Sequence, residues 1–156
     1  MNEKELIAFI VFAKKNGYAN KEGATEIIKY EKSGAVKIIV RRGDWEYTDK
    51  YIGTDSFLGS EVVLFEGKPV WGMSYHGRII AKNGTEKNIT SFLKLALLEV
   101  DQDKPYRGPE FFKNEKYNFT YINISHGNLN FFSGEEMISE KDVGEAYELR
   151  YIGGAI

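Results

Sequence analysis

The sequence predicts an α+β fold: one antiparallel sheet built from two repeated β-meanders in pseudo-two-fold relation, with two α-helices packed on one face. Three observations lead there. Runs with period-two alternation, such as Val36-x-Ile38-x-Val40 and Trp45-x-Tyr47-x-Asp49-x-Tyr51, take up much of the chain between turn residues. Helical apolar spacing stands out in two stretches, near the N-terminus and mid-chain. Finally, Phe57-x-Gly59-x-Glu61 followed by Tyr75-x-Gly77-x-x-Ile80 recurs as Phe132-x-Gly134-x-Glu136 followed by Tyr151-x-Gly153-x-x-Ile156. The reading is a single domain over 1–156, with copies at about 36–80 and 116–156 joined by a helix at about 89–100.

Residues 3–16 carry Leu6, Phe9, Ile10 and Ala13 at i, i+3, i+4 and i+7, with Asn2 to cap the start and Gly17 to end the helix. Residues 18–34 are ambiguous, with a short strand at 25–30 as one option. Val36 to Val40 alternate as a strand, and Arg42-Gly43-Asp44 turns into 45–51. On that second strand Trp45, Tyr47, Asp49 and Tyr51 share a face, so an aromatic face turned inward takes one acid with it. A loop at 53–56, a strand at 61–65, a turn at 66–69 and a returning strand at 70–75 complete the first copy. Trp71, Met73 and Tyr75 line one face of the return, matched by Tyr147, Leu149 and Tyr151. The central helix presents Phe92, Leu93, Ala96, Leu97 and Val100, with Asn88 or Thr90 as cap. Strands at 117–124, 129–132, 137–138 and 145–151 form the second copy, with Asn128 assisting a hairpin turn.

With 156 residues and 42% hydrophobic content, the chain is long enough for a substantial core. Ten Tyr and ten Phe favour β-rich structure with aromatic-lined interiors. Net charge is −2 and no basic run exceeds Arg41-Arg42, which argues against direct nucleic-acid binding. The absence of Cys removes disulfides, thiolate chemistry and Cys-based metal sites. No apolar run is long enough for a membrane span, and the start lacks the pattern of a signal peptide, so a cytoplasmic protein is expected.

Specific motifs extend the reading. Gly43-Asp44-Trp45-x-Tyr47-x-Asp49-x-Tyr51-x-Gly53, Phe57-x-Gly59-x-Glu61-x-Val63, Gly67-Lys68-Pro69-Val70-Trp71-x-Met73-x-Tyr75-x-Gly77 and Pro105-Tyr106-Arg107-Gly108-Pro109 run through most of the chain, and Phe132-Ser133-Gly134-x-Glu136 fits with them. The chain thereby resembles an uncharacterised bacterial and archaeal domain-of-unknown-function family, found alone or fused behind Xre-type helix-turn-helix regulators. The resemblance implies a sensor or a partner for regulators and supplies no reaction, ligand or catalytic residue.

Among individual residues, Asp49 reads either as a ligand-gripping or general-base carboxylate raised by burial, or as a strand-end acid capping a loop or paired with an Arg. Glu61 and Glu136 converge if the two-fold axis runs between them. Alternatively, with Gly59 and Gly134, they hold the repeat's shape by accepting backbone amides at a glycine turn. His76 and His126 match no metal-ligand spacing and read as structural. Tyr106 and Arg107 sit in a Pro/Gly-bounded loop, where Arg107 offers a fork for an anionic ligand or an internal ion pair with Asp49 or Glu61. No cofactor fingerprint, metal motif or nucleophile elbow is present.

The leading expectation is a non-catalytic small-molecule-binding or sensory domain. Trp45, Tyr47, Trp71 and Tyr75 would line its pocket, with Asp49, His76, Tyr106 and Arg107 as further candidates. A homodimer or regulator-partner interaction module comes second. A carboxylate-dependent hydrolase or isomerase using Asp49, Glu61 and His76 comes third.

Overall fold

An Asn at the N-cap and a Glu three residues on set the first helix. In the computed structural model, which describes residues 2–81 and 85–156, the Asn2 side chain accepts from Glu5 N and the Glu5 carboxylate accepts from Asn2 N, each at 2.9 Å. This capping box opens α1 (Glu3–Lys15). Its apolar stripe buries Leu6, Phe9, Ile10 and Ala13, and Phe9 stacks on Trp45 at 5.1 Å between ring centroids.

Among the described residues nine strands follow in one fully antiparallel sheet: β1 (Glu26–Tyr30), β2 (Ala35–Arg42), β3 (Trp45–Gly53), β4 (Ser56–Phe65), β5 (Lys68–Ile79), β6 (Phe111–Lys113), β7 (Phe119–Asn128), β8 (Phe131–Glu140) and β9 (Gly144–Ala155). Their order is β1-β2-β3-β4-β5-β9-β8-β7-β6. Successive strands are joined by short connections, except that the chain between β5 and β6 carries α2 (Glu86–Leu98) and the 101–109 loop. The centre of the sheet is the β5–β9 pair, where Tyr75 lies opposite Tyr151. Asp49 faces Glu61 across β3 and β4, and Asn123 faces Glu136 across β7 and β8.

Both helices cover the same face. Trp71, Tyr121, Tyr147, Phe92, Phe132 and Ile10 are its largest fully buried side chains, and the apolar ones among them, Phe92, Phe132 and Ile10, each contribute on the order of 1.5–3 kcal/mol of transfer free energy. α2 seats Phe92 against Phe112, Tyr117 and Phe119, with centroids 5.4–5.7 Å away. The chain is thus α+β, with an antiparallel sheet and two helices. No helix among the described residues is long and apolar enough to cross a membrane.

Local expectations shift in several places. The ambiguous segment contains β1, and Phe111–Lys113 adds an edge strand that its short length concealed. α2 begins at Glu86, so Thr90 lies inside it, its hydroxyl donating to Glu86 O at 3.1 Å. Asn128 does serve the β7–β8 turn by accepting from Asn130 N at 3.0 Å. The main correction concerns the glycines of the repeated motif. Gly59 and Gly134 are not in turns but inside β4 and β8, which are longer than the sequence suggests.

Those glycines make room for a tyrosine ring. A Cβ on Gly59 would lie 2.5 Å from Tyr75 Oη, and one on Gly134 would lie 2.3 Å from Tyr151 Oη, each also pressing on backbone of the neighbouring strand. Gly134→Ala is therefore expected to cost about 1–3 kcal/mol, the usual range for overpacking. Urea denaturation measures it; a change within about 0.5 kcal/mol, typical of an unconstrained surface site, would show that the ring moves aside freely.

Candidate functional site

Arg107 is the hub of the buried polar side chains. The 101–109 loop carries it over the sheet, where its Nη2 and Nε donate to Glu136 Oε1 and Oε2 at 2.6 and 3.1 Å. Glu136 also accepts from Tyr121 and Tyr147 hydroxyls, each at 2.7 Å. Burial pushes this carboxyl up, but the adjacent guanidinium and these hydrogen bonds outweigh it, leaving its pKa below the ordinary value. Arg107 Nη1 lies 3.9 Å from Glu61 Oε1. Glu61 in turn pairs with Lys14 of α1. Burial lowers the Lys14 pKa more than the carboxylate restores it.

Two carboxylates from opposite halves of the sheet thus converge on one guanidinium. The expectation that Glu61 and Glu136 fix glycine turns through backbone amides is corrected here: their partners in the structure are side chains, because β-strand geometry directs both into the core. Arg107 forms an internal ion pair, with Glu136 as its principal partner and Glu61 farther off, and none with Asp49.

Asp49 stands apart. Tyr75 Oη donates to its Oδ1 at 2.6 Å, and the Arg107 guanidinium packs 5.5 Å over the Tyr75 ring. Burial first, then the Glu61 charge, raise the Asp49 pKa to about 7. Across the sheet centre, Tyr151 Oη donates to Asn123 Oδ1 at 2.8 Å, with a neutral amide where β3 has an acid. The formal charges of Lys14 and Arg107 balance those of Glu61 and Glu136, so an ionised Asp49 is the uncompensated fifth.

Asp49 lies between two cavities. One, about 20 Å³, is bounded by Lys14, Tyr47, Glu61 and Arg107 and matches the size of a single water. The other, about 730 Å³, is lined by Tyr18, Tyr51, Phe57, Tyr75, Leu93 and Tyr147 among others, with Asp49 and Arg107 on its inner wall. Burial holds the Tyr18 hydroxyl up at about 12, so it stays protonated at neutral pH.

The sequence-expected site divides accordingly. Asp49, Tyr75 and Arg107 meet at the larger cavity, and Tyr47 reaches only the smaller one. Trp45, Trp71 and Tyr106 are corrected as pocket residues: Trp45 is taken by Phe9 and Phe65, and Trp71 and Tyr106 stack on Phe132 at 5.6 and 3.9 Å. His76 lies exposed on the opposite sheet face, 3.3 Å from Ser56 Oγ, because strand alternation turns it away from Tyr75. His126 is exposed as well. Sequence reasoning missed Lys14, Tyr18, Tyr51, Phe57 and Tyr147. For Lys14 a signal existed: it follows Ile10 by four residues and so extends the apolar stripe of α1.

A family model described as Domain of unknown function (DUF5680) matches residues 49–156, well over half of the chain. No curated protein matches, and no solved structure does.

Proposed function

This chain belongs to the DUF5680 family, and from that premise we propose that it is a non-catalytic small-molecule-binding or sensory protein. The observation that carries the reading is the cavity of about 730 Å³ with aromatic walls and one uncompensated acid, Asp49, on its inner wall. Volume, apolar lining and a few convergent polar groups match the usual make-up of a ligand site. The regulator association implied by the family resemblance fits a sensor whose ligand is the signal.

The same proposal treats the two halves of the sheet as copies of one meander. Supporting it are the matched cross-strand pairs, Asp49 with Glu61 and Asn123 with Glu136, and the matched tyrosine-over-glycine contacts. In that view the Tyr151–Asn123 pair keeps the architecture, while Tyr75–Asp49 has gained an acid for binding.

A metabolite panel tested by thermal denaturation checks the function. A true ligand at a hundredfold excess over its Kd stabilises by about 2.7 kcal/mol, roughly 5–10 °C for a chain of this size. Ser91→Trp, placed on the exposed cavity wall of α2, should abolish the shift. Shifts that survive this plug would locate binding elsewhere and sink the reading.

The interaction-module reading has its own observation. Leu58 and Ile152 on the outer sheet face are 57% and 50% exposed. Sedimentation of the wild type and Leu58→Ser tests it: a monomer in both cases removes self-association. For the hydrolase or isomerase reading, Asp49 and Glu61 are cross-strand neighbours, whereas His76 faces away from them.

A further inference from the structure

Two lysines stand at the mouth of the large cavity, both close to the ring of Tyr18. Lys21, in the turn after α1, places its ammonium 5.6 Å from the Tyr18 ring centroid and 5.7 Å from that of Tyr51, and donates to Tyr51 Oη at 3.0 Å. Lys94, on α2, places its own 5.4 Å from Tyr18. Neither takes part in any ion pair among the described residues. Asp55, Glu86 and Lys87 also line the cavity. Yet the charge acting on Lys94 is that of Lys21, which, after burial, lowers its pKa. Two cations held beside one ring, neither of them in an ion pair among the described residues, form a place where an anion is favoured.

The cavity wall therefore carries opposite demands at two points. Asp49 lies within, under the Tyr75 hydroxyl, while the ammonium pair lies at the mouth, and Phe57, Ile79, Ile89 and Leu93 supply apolar wall. A tyrosine-rich wall also favours a cation over its ring faces.

We propose that the ligand is two-ended: a protonated nitrogen docks on Asp49 Oδ2, a carboxylate or phosphate docks between Lys21 and Lys94, and an apolar or aromatic body joins them. This rests on the small-molecule reading above and narrows it to one chemical class. A purely apolar ligand would leave Asp49 and both lysines unanswered; a simple anion would meet repulsion at Asp49.

Separate fragments test the two ends independently. Phenethylamine supplies the cationic end, and inorganic phosphate and acetate supply the two anionic alternatives, each titrated by NMR against wild type, Asp49→Asn and the Lys21→Gln/Lys94→Gln double variant. Phenethylamine should lose about tenfold in affinity in Asp49→Asn and remain unaffected by the lysine changes. Phosphate or acetate should do the reverse, and which of them binds assigns the anionic group. If phenethylamine needs Asp49 but neither anion needs the lysines, the two-ended class falls while the binding reading stands. Anion shifts that persist in the double variant mark an adventitious ion only and overturn the mouth subsite. No fragment binding at all overturns both.

Discussion

Arg107→Ala is expected to destabilise the protein by about 3–5 kcal/mol, the typical cost of breaking a buried ion pair by removing one partner. For a chain of this length that lowers Tm by roughly 10 °C or more. The physical reason is the set of groups left behind. Glu136 would keep two tyrosine hydroxyls but lose both guanidinium bonds, and Glu61 would keep Lys14 and the Tyr47 hydroxyl but lose its second cation. A buried carboxylate without its cation must either take up a proton or remain charged in a low-dielectric site. Adding Glu136→Gln to Arg107→Ala should recover part of the loss, since the stranded charge is then gone. Urea denaturation of both variants decides the point. A single-variant loss below about 1 kcal/mol, as for an exposed pair, would show that the pair is solvated rather than buried.

Asp49→Asn should stabilise the protein, and only at higher pH. The acid's pKa rises from the ordinary 3.8 to about 7 on folding, through burial and the Glu61 charge. Between those values the folded state binds more protons than the unfolded one, so stability falls as pH rises through the window. Above about pH 7 the penalty is complete, with a ceiling of about 4 kcal/mol from the gap between the two values. Asparagine removes the charge and keeps an acceptor for Tyr75, as Asn123 does for Tyr151. The expected gain is on the order of 2–4 kcal/mol at pH 8 and below about 1 kcal/mol at pH 4.5, measured by urea denaturation. The groups facing Asp49 are Tyr75 from β5, Glu61 from β4, Lys14 from α1 and Arg107 from the 101–109 loop, with Tyr18 and, on its own strand, Tyr47 and Tyr51 also within its field. An equal difference at both pH values would mean that Asp49 is ionised throughout. A residue that weakens the fold at working pH fits a binding role better than a structural one.

Much of this arrangement was legible in single residues. The alternation of Trp45, Tyr47, Asp49 and Tyr51 placed Asp49 on the inward face, because side chains in a strand can only alternate. The i, i+4 apolar spacing located α1 to within one residue at its end. The match of Tyr75 with Tyr151 marked two strands that turn out to be neighbours. The pocket was less legible. The two tryptophans were the most conspicuous aromatics, yet both are consumed by core stacking, while Tyr18, Phe57 and Tyr147 line the cavity. Nothing local distinguishes a ring that packs from one that borders empty space, since the difference lies in what the helices do or do not cover.

The repeated Phe-x-Gly-x-Glu motif marks the same boundary. Its spacing declares that Gly59 and Gly134, and Glu61 and Glu136, stand in similar local settings. Local setting says nothing about the partner that arrives from elsewhere in the chain. Only the tertiary structure sets a tyrosine ring over each glycine and brings Arg107 to both glutamates. Periodicity and turn chemistry act over a few residues, so the sequence alone determined the fold class, the inward faces and the inward acid. Charge pairing and cavity shape depend on groups far apart in the chain, so the ion-pair hub, the charge-uncompensated Asp49 and the cationic mouth were decided by packing.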